Sequence, residues 1–331
     1  MRRATAALLA LALALALTGC AGEKAAAPAL LFRYADNQPD EYPTTKAAEY
    51  FARLVEERTD GAIVIRVFAD GVLGDERGVL RQMQFGGIDF ARVSTTALGD
   101  DVPETKILQL PYLFRDGEHM LRVLDGEIGD ALLEAIRGAD VIGLCWFDAG
   151  ARNLYTRTPV HGLADLEGLT IRVQESDFLS RMVQLWGAKA VQMPYNEVYS
   201  ALQTGLIDGA ENNWPSYEAT GHYEAAPYYL LDGHTRLPEV MLVSLVAMEK
   251  IRALDPACEA VLLECAREAA LYERELWKQQ EVASEAALRE TGVVVSALSE
   301  EERRAFRDAI RPMYEEFPPA EQALIERIKN S

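Results

Sequence analysis

Asp60-Gly61-Ala62-Ile63-Val64-Ile65-Arg66-Val67 opens on a turn and runs into apolar side chains at 63, 65 and 67, the period of a strand. Upstream, Leu30 to Asp36 is a short apolar and aromatic run, and Pro43 is followed by Ala47, Ala48, Phe51, Leu54 and Val55 at helical spacing. Downstream, Glu76 to Phe85 reads as a helix and Ile88 to Val93 as another strand. A β-α-β-α-β order needs crossover connections. It therefore predicts a largely parallel sheet with helices on both faces, and a ligand site beyond the carboxyl ends of its strands.

The pattern returns from about Arg152 to Arg236, with a strand at Leu169 to Val173 and helices at Phe178 to Trp186 and Asn196 to Gly205. Between Asp255-Pro256, a good helix start, and Thr291-Gly292, a good stop, lie about 36 residues with no internal Gly or Pro. At 1.5 Å per residue such a helix is roughly 54 Å long, more than one lobe is wide, so it is expected to cross two. Ser299 with Glu302 reads as a capping box for a further helix. The expected fold class is α/β, two lobes around a cleft with a lobe-spanning helix. The length agrees, since 331 residues exceed what one core usually organises.

At the N-terminus, Arg2 and Arg3 precede an apolar run from Ala6 to Leu17, too short to span a bilayer and suited to a secretory signal. Leu17-Thr18-Gly19-Cys20 has the form of a lipoprotein box, with Cys20 as the lipidated residue and residues 21–28 as an alanine-rich leash. The expected division is a signal peptide at 1–19, a lipidated tether at 20–28, a first lobe of 29–149 with 238–277, and a second of 150–237 with 278–331. The net charge of −19 becomes −21 once residues 1–19, with two arginines and no acids, are removed. Such a surface repels nucleic acid and anionic lipid. Cys145, Cys258 and Cys265 form no disulfide ladder, because 258 and 265 lie two helical turns apart.

Enzyme signatures such as G-x-S-x-G, H-E-x-x-H, a Gly-rich phosphate loop or C-x-x-C are missing. The histidines at 119, 161, 222 and 234 lack metal-ligand spacing, so neither a cofactor nor a metal is expected. What the chain offers instead is arginines and amides beside turns. Arg152 stands where the second lobe starts, and Arg172 lies on a strand that otherwise reads as buried. Arginine is rarely buried unpaired, so Arg172 either forks a ligand carboxylate or bridges to Glu175 or Asp208. Asn212-Asn213-Trp214 suits a polyhydroxy ligand, with amides for hydroxyls and an indole for a sugar face; turn capping with Trp214 in the core is the alternative.

At these residues the chain resembles the extracytoplasmic solute-binding proteins of tripartite ATP-independent periplasmic (TRAP) transporters. The resemblance is carried by Leu73-Gly74-Asp75-Glu76-Arg77, Leu110-Pro111-Tyr112-Leu113-Phe114, Gly150-Ala151-Arg152, Leu166 to Val173, Met193-Pro194-Tyr195 and Glu197 to Gly205 through Asp208-Gly209-Ala210-Glu211-Asn212. It implies a type II periplasmic-binding-protein architecture, with Arg172 on the ligand carboxylate, Arg152 and Asn212 adding polar contacts, Tyr195 stacking on the ligand, and Glu76 and Asn37 facing the cleft from the other lobe. It also implies membrane permease subunits as partners. The run Glu211 to Tyr217 with His222-Tyr223 looks like the branch that binds sugar acids such as glucuronate and galacturonate; Tyr42, often histidine in relatives, departs from it. C4-dicarboxylates and 2-oxo acids are the other solutes this family pattern leaves open. A sugar-acid lyase or hydrolase and a sensor lipoprotein of the same fold are the rival readings.

Overall fold

The computed structural model describes residues 27–331; the signal peptide and Cys20 lie outside them. The chain runs through β1 (Leu30–Ala35), α1 (Pro43–Arg58), β2 (Ile63–Phe68), α2 (Glu76–Gln84), β3 (Phe90–Ser94) and, after several short helices, β4 (Val141–Phe147). Next come β5 (Arg152–Thr156), β6 (Thr170–Val173), α3 (Asp177–Leu185), β7 (Lys189–Gln192), α4 (Val198–Thr204), β8 (Gly209–Asn212) and β9 (Tyr228–Thr235). The last part is β10 (Glu239–Ser244), α5 (Ala257–Glu290), β11 (Val294–Ala297), α6 (Glu300–Ala309) and α7 (Arg311–Glu315), followed by a terminal helix.

Two sheets result, ordered β2-β1-β3-β10-β4 and β11-β9-β5-β8-β6-β7. The β1-α1-β2-α2-β3 unit is parallel as the periodicity demands. The expectation of a largely parallel sheet nevertheless fails at its other side, where β10 runs antiparallel to both β3 and β4. β10 arrives from almost 150 residues downstream, and its continuous apolar run carries no sign of direction. The second sheet is likewise mixed, since β5 is antiparallel to both β8 and β9.

The chain passes between the sheets at residues 148–151 and again at 236–238. Gly150 sits at the first crossing with φ +61°, and a β-carbon there would lie 2.9 Å from Trp277 Nε1 of α5. Only glycine fits both demands. α5, 34 residues long, packs on α1 and β4 of one lobe and on residues 214–219 of the other, so it spans both as its uninterrupted sequence predicts. The capping box at Ser299 is half formed: its Oγ accepts from Glu302 N, but the Glu302 carboxylate turns away to accept from Leu163 N. Cys145, Cys258 and Cys265 are free thiols. Among the described residues no helix is long and apolar enough to cross a membrane.

Candidate functional site

The first-lobe wall of the interlobe cleft is organised by Arg92, a residue that the reading of the sequence passed over. It lies in the middle of β3, 2% exposed. Its guanidinium donates to Asp36 at the end of β1, to Asn37, to Glu76 and to Glu239 at the start of β10. Asp75 caps α2 by accepting from Gly78 N at 2.7 Å, which sets Glu76 in the first turn. Glu76 also accepts from Ser94 N at 3.1 Å and Ser94 Oγ at 2.7 Å. Three acidic side chains thus surround one cation. Burial pushes the Glu239 carboxyl up to about 8 against the pull of Arg92, with Glu76 and Asp36 adding to the rise. Its Oε2 is buried without a partner among the described residues. The signal for Arg92 was present in Phe90-Ala91-Arg92-Val93: it is the same buried-strand arginine that drew attention to Arg172.

The second-lobe wall carries the opposite arrangement. Arg172, on β6, is 2% exposed and has no carboxylate within 4 Å among the described residues. Its Nε and Nη2 both donate to Met193 O, at 2.9 and 2.6 Å, and Nη1 makes no hydrogen bond there. Neither proposed internal partner is engaged, since the Asp208 carboxylate accepts from Thr170 N instead. Burial lowers the guanidinium's hold on its proton, opposed by the field of Glu211. Arg152, by contrast, is fully committed: it forks Glu211 through Nε and Nη2 and gives Nη1 to Asn212 Oδ1 at 2.9 Å. Burial works to raise the Glu211 carboxyl, but Arg152 and His234 hold it down at about 2. His234 in turn is lifted to about 9 against burial by Asp232 and Glu211.

The cleft between these walls is lined by Asn37, Glu76, Arg92, Arg152, Arg172, Tyr195, Asn212, Asn213 and Glu239 among others, around an empty space of about 570 Å³ including its mouth. Seven of the eight side chains singled out in the sequence therefore meet in one place. The eighth, Trp214, does not. It is 4% exposed and stacks on Tyr229 with ring centroids 3.7 Å apart, so the core has taken the indole. Asn213 is largely spent on structure, its Oδ1 accepting from Ser216 N and its Nδ2 donating to Ala149 O. Asn212 Nδ2 makes no hydrogen bond among the described residues. Polar bonds close the cleft from wall to wall: Thr96 Oγ1 donates to Gln174 at 2.8 Å, Ser176 Oγ to Gln109 at 2.7 Å and Tyr195 OH to Gln38 at 3.3 Å, while Tyr42 OH meets Ser216 Oγ at 2.8 Å.

Residues 34–319 match the family model described as bacterial extracellular solute-binding protein, family 7. The chain belongs to this family, the solute-binding proteins of TRAP transporters. A solute-binding protein of Chromohalobacter salexigens is 39% identical over 280 residues, 84% of this chain and 82% of that one. Among solved structures, a TRAP periplasmic solute-binding protein from a Bradyrhizobium, in complex with galacturonate, is 40% identical and superposes with a TM-score of 0.87 over 91% of this chain and 99% of its own. One from Chromohalobacter salexigens with bound D-glucuronate is 37% identical, TM-score 0.86, covering 90% and 99%. As a member of family 7 the chain is the solute-capturing component of a transporter that works outside the cytoplasm, and the family comprises binding proteins rather than enzymes. Its two-lobe α/β fold and lobe-spanning helix are those of the TRAP binding proteins.

Proposed function

We propose that this TRAP solute-binding protein captures a hexuronate, glucuronate or galacturonate, and passes it to the membrane permease subunits while tethered through a lipid on Cys20. The single observation that carries the reading is Arg172, a buried guanidinium with no carboxylate within 4 Å among the described residues and so suited to one that a ligand brings. The opposite wall supports the rest. Glu76 accepts hydrogen bonds, Glu239 holds a proton near neutral pH and so donates, and Asn37 and Asn212 serve hydroxyls in either sense. One carboxylate clamp facing a wall of acceptors and donors matches a sugar acid better than a dicarboxylate, whose second charge would meet Glu76. The relatives with bound galacturonate and glucuronate support the same solute class.

Solute docks on the Arg172 lobe, and the first-lobe contacts form as the cleft closes, so the ligand shifts an open-closed equilibrium toward the state the permease reads. The two lobes divide at 149/150, 237/238 and 277/278. Binding without turnover agrees with the internal pairing of the charged groups: Asp36 and Glu76 are held by Arg92, and Glu211 by Arg152. Calorimetric titration with glucuronate, galacturonate, succinate and pyruvate is the test. The two uronates are expected to bind with unit stoichiometry and to survive incubation unchanged. Tight binding of succinate alone, or conversion of the uronate, overturns the proposal.

A further inference from the structure

On a chain of net charge −19, one groove is basic. It lies where the chain crosses between the sheets and shares no lining residue with the cleft. The relation is set by strand period: Arg152 faces the cleft, while its neighbours Ala151 and Asn153 line the groove. Arg303 and Arg307 on α6 and Arg311 at the start of α7 follow at four-residue intervals, and Arg236 joins them from the second crossing. Among the described residues Arg236 and Arg307 have no carboxylate within 4 Å, and that of Arg303, on Glu300, is 3.8 Å away. Arg311 alone of the four has a close acid, Asp308 at 2.6 Å.

Six basic side chains line the groove against two acids, Asp232 and Glu281. Asp232 is buried and already taken, by the His234 ring at 2.8 Å and Leu154 N at 3.2 Å. Burial holds the Glu281 carboxyl above its ordinary range, with Arg236 opposing. Aromatic surface completes the wall. The guanidinium of Arg307 lies 5.1 Å from the Tyr112 ring centre and the ammonium of Lys329 4.3 Å from that of Tyr314. Tyr112 is held at φ +61°, an unfavourable backbone for an aromatic residue, and its hydroxyl is buried without a partner among the described residues. The empty space is about 1690 Å³ including open solvent, against about 570 Å³ for the cleft measured the same way. A single sugar acid does not fill it.

We propose that this groove is a second anion site, taking a molecule larger than a monosaccharide that carries two or more carboxylate or phosphate groups beside a flat apolar face. Guanidinium groups recognise both kinds of anion by the same planar fork, and the tyrosines supply the face on which a sugar ring or a base lies. The site stands independently of which sugar acid the cleft takes.

The experiment is calorimetric titration of the full-length Arg172→Ala protein, whose cleft is disabled, with trigalacturonate, with ATP and with uncharged maltotriose. Either polyanion is expected to bind, more weakly as salt rises, and maltotriose is not. Trigalacturonate alone identifies a carboxylate-bearing occupant and ATP alone a phosphate-bearing one. Replacing Arg236 and Arg307 together by glutamine should weaken that binding by about tenfold or more, and the same replacement in the otherwise wild-type protein should leave monosaccharide uronate titrations unchanged. Should Arg172→Ala not fold, the wild-type protein saturated with galacturonate carries the same titrations. Failure of both polyanions to bind, or binding indifferent to R236Q/R307Q, overturns the proposal.

Discussion

Arg92 and Arg172 are buried to the same degree on strands of opposite walls of one cleft, yet the first is surrounded by Asp36, Glu76 and Glu239 while the second has only a backbone carbonyl. The first arginine is a structural tie. It fixes the acceptors of a wall whose strands come from three separated parts of the sequence, β1, β3 and β10. The second is the proposed carboxylate anchor, because a cation desolvated without a partner costs stability that an arriving anion restores. A buried arginine therefore says nothing about function until its partners are counted.

The sharpest way to break this contrast is Arg92→Met. It leaves the Asp36 and Glu76 carboxylates and the Glu239 carboxyl around an apolar side chain, and the fold should lose about 3–5 kcal/mol by urea denaturation; a loss near zero would show that Arg92 is not a tie. Arg172→Lys should cost about a hundredfold in uronate affinity, because an ammonium cannot reproduce the fork. Its companion Arg172→Met should bind no better and yet melt at the same temperature or higher, since it removes an unpaired buried charge. A melting point that falls with Arg172→Met would erase the distinction between the two arginines.

Proton linkage sharpens the comparison further. Glu239 titrates at about 8 in the folded protein, against 4.5 ordinarily, so between those values the native state holds a proton that the unfolded chain has released. Its contribution to stability therefore falls as pH rises through that window. His234, raised to about 9 from 6.5, slopes stability the same way at higher pH, its contribution present below 6.5 and lost as pH passes 9. Glu239→Gln should then flatten the profile of melting temperature against pH between about 4.5 and 6.5, where His234 is protonated in both states. An unchanged slope there would remove Glu239 as the proton carrier of the first wall. The smallest effect belongs to Tyr42→Phe, which deletes the wall-to-wall hydrogen bond to Ser216 at 2.8 Å and the longer one to Asn213 at 3.4 Å. It should weaken uronate binding by roughly fivefold, about 1 kcal/mol, with no change in melting temperature of the empty protein beyond a degree or two.

Legibility followed the range of the forces involved. The β1-α1-β2-α2-β3 unit was readable because its alternation and helical stripes are local, and α5 was readable because 34 residues pass without a helix breaker. Tyr195, Glu76 and Asn37 came to attention through resemblance alone. The side on which Trp214 falls was not readable, since an indole beside two asparagines serves a sugar or a core equally well, and packing on Tyr229 decided it. Glu239 was invisible, because an acid at the head of an apolar strand means nothing until the strand is known to lie beside Arg92, 147 residues earlier.

Local patterning, read along the chain, was enough for two α/β blocks, a helix bridging them, and a pair of arginines in places where arginine is uncommon. Tertiary structure decided the antiparallel insertion of β10 and, with it, which arginine is already neutralised and which is left free. The reason is physical: periodicity is a property of neighbours in sequence, whereas the charge state of a buried group depends on which distant carboxylates the folded chain brings within a few ångströms.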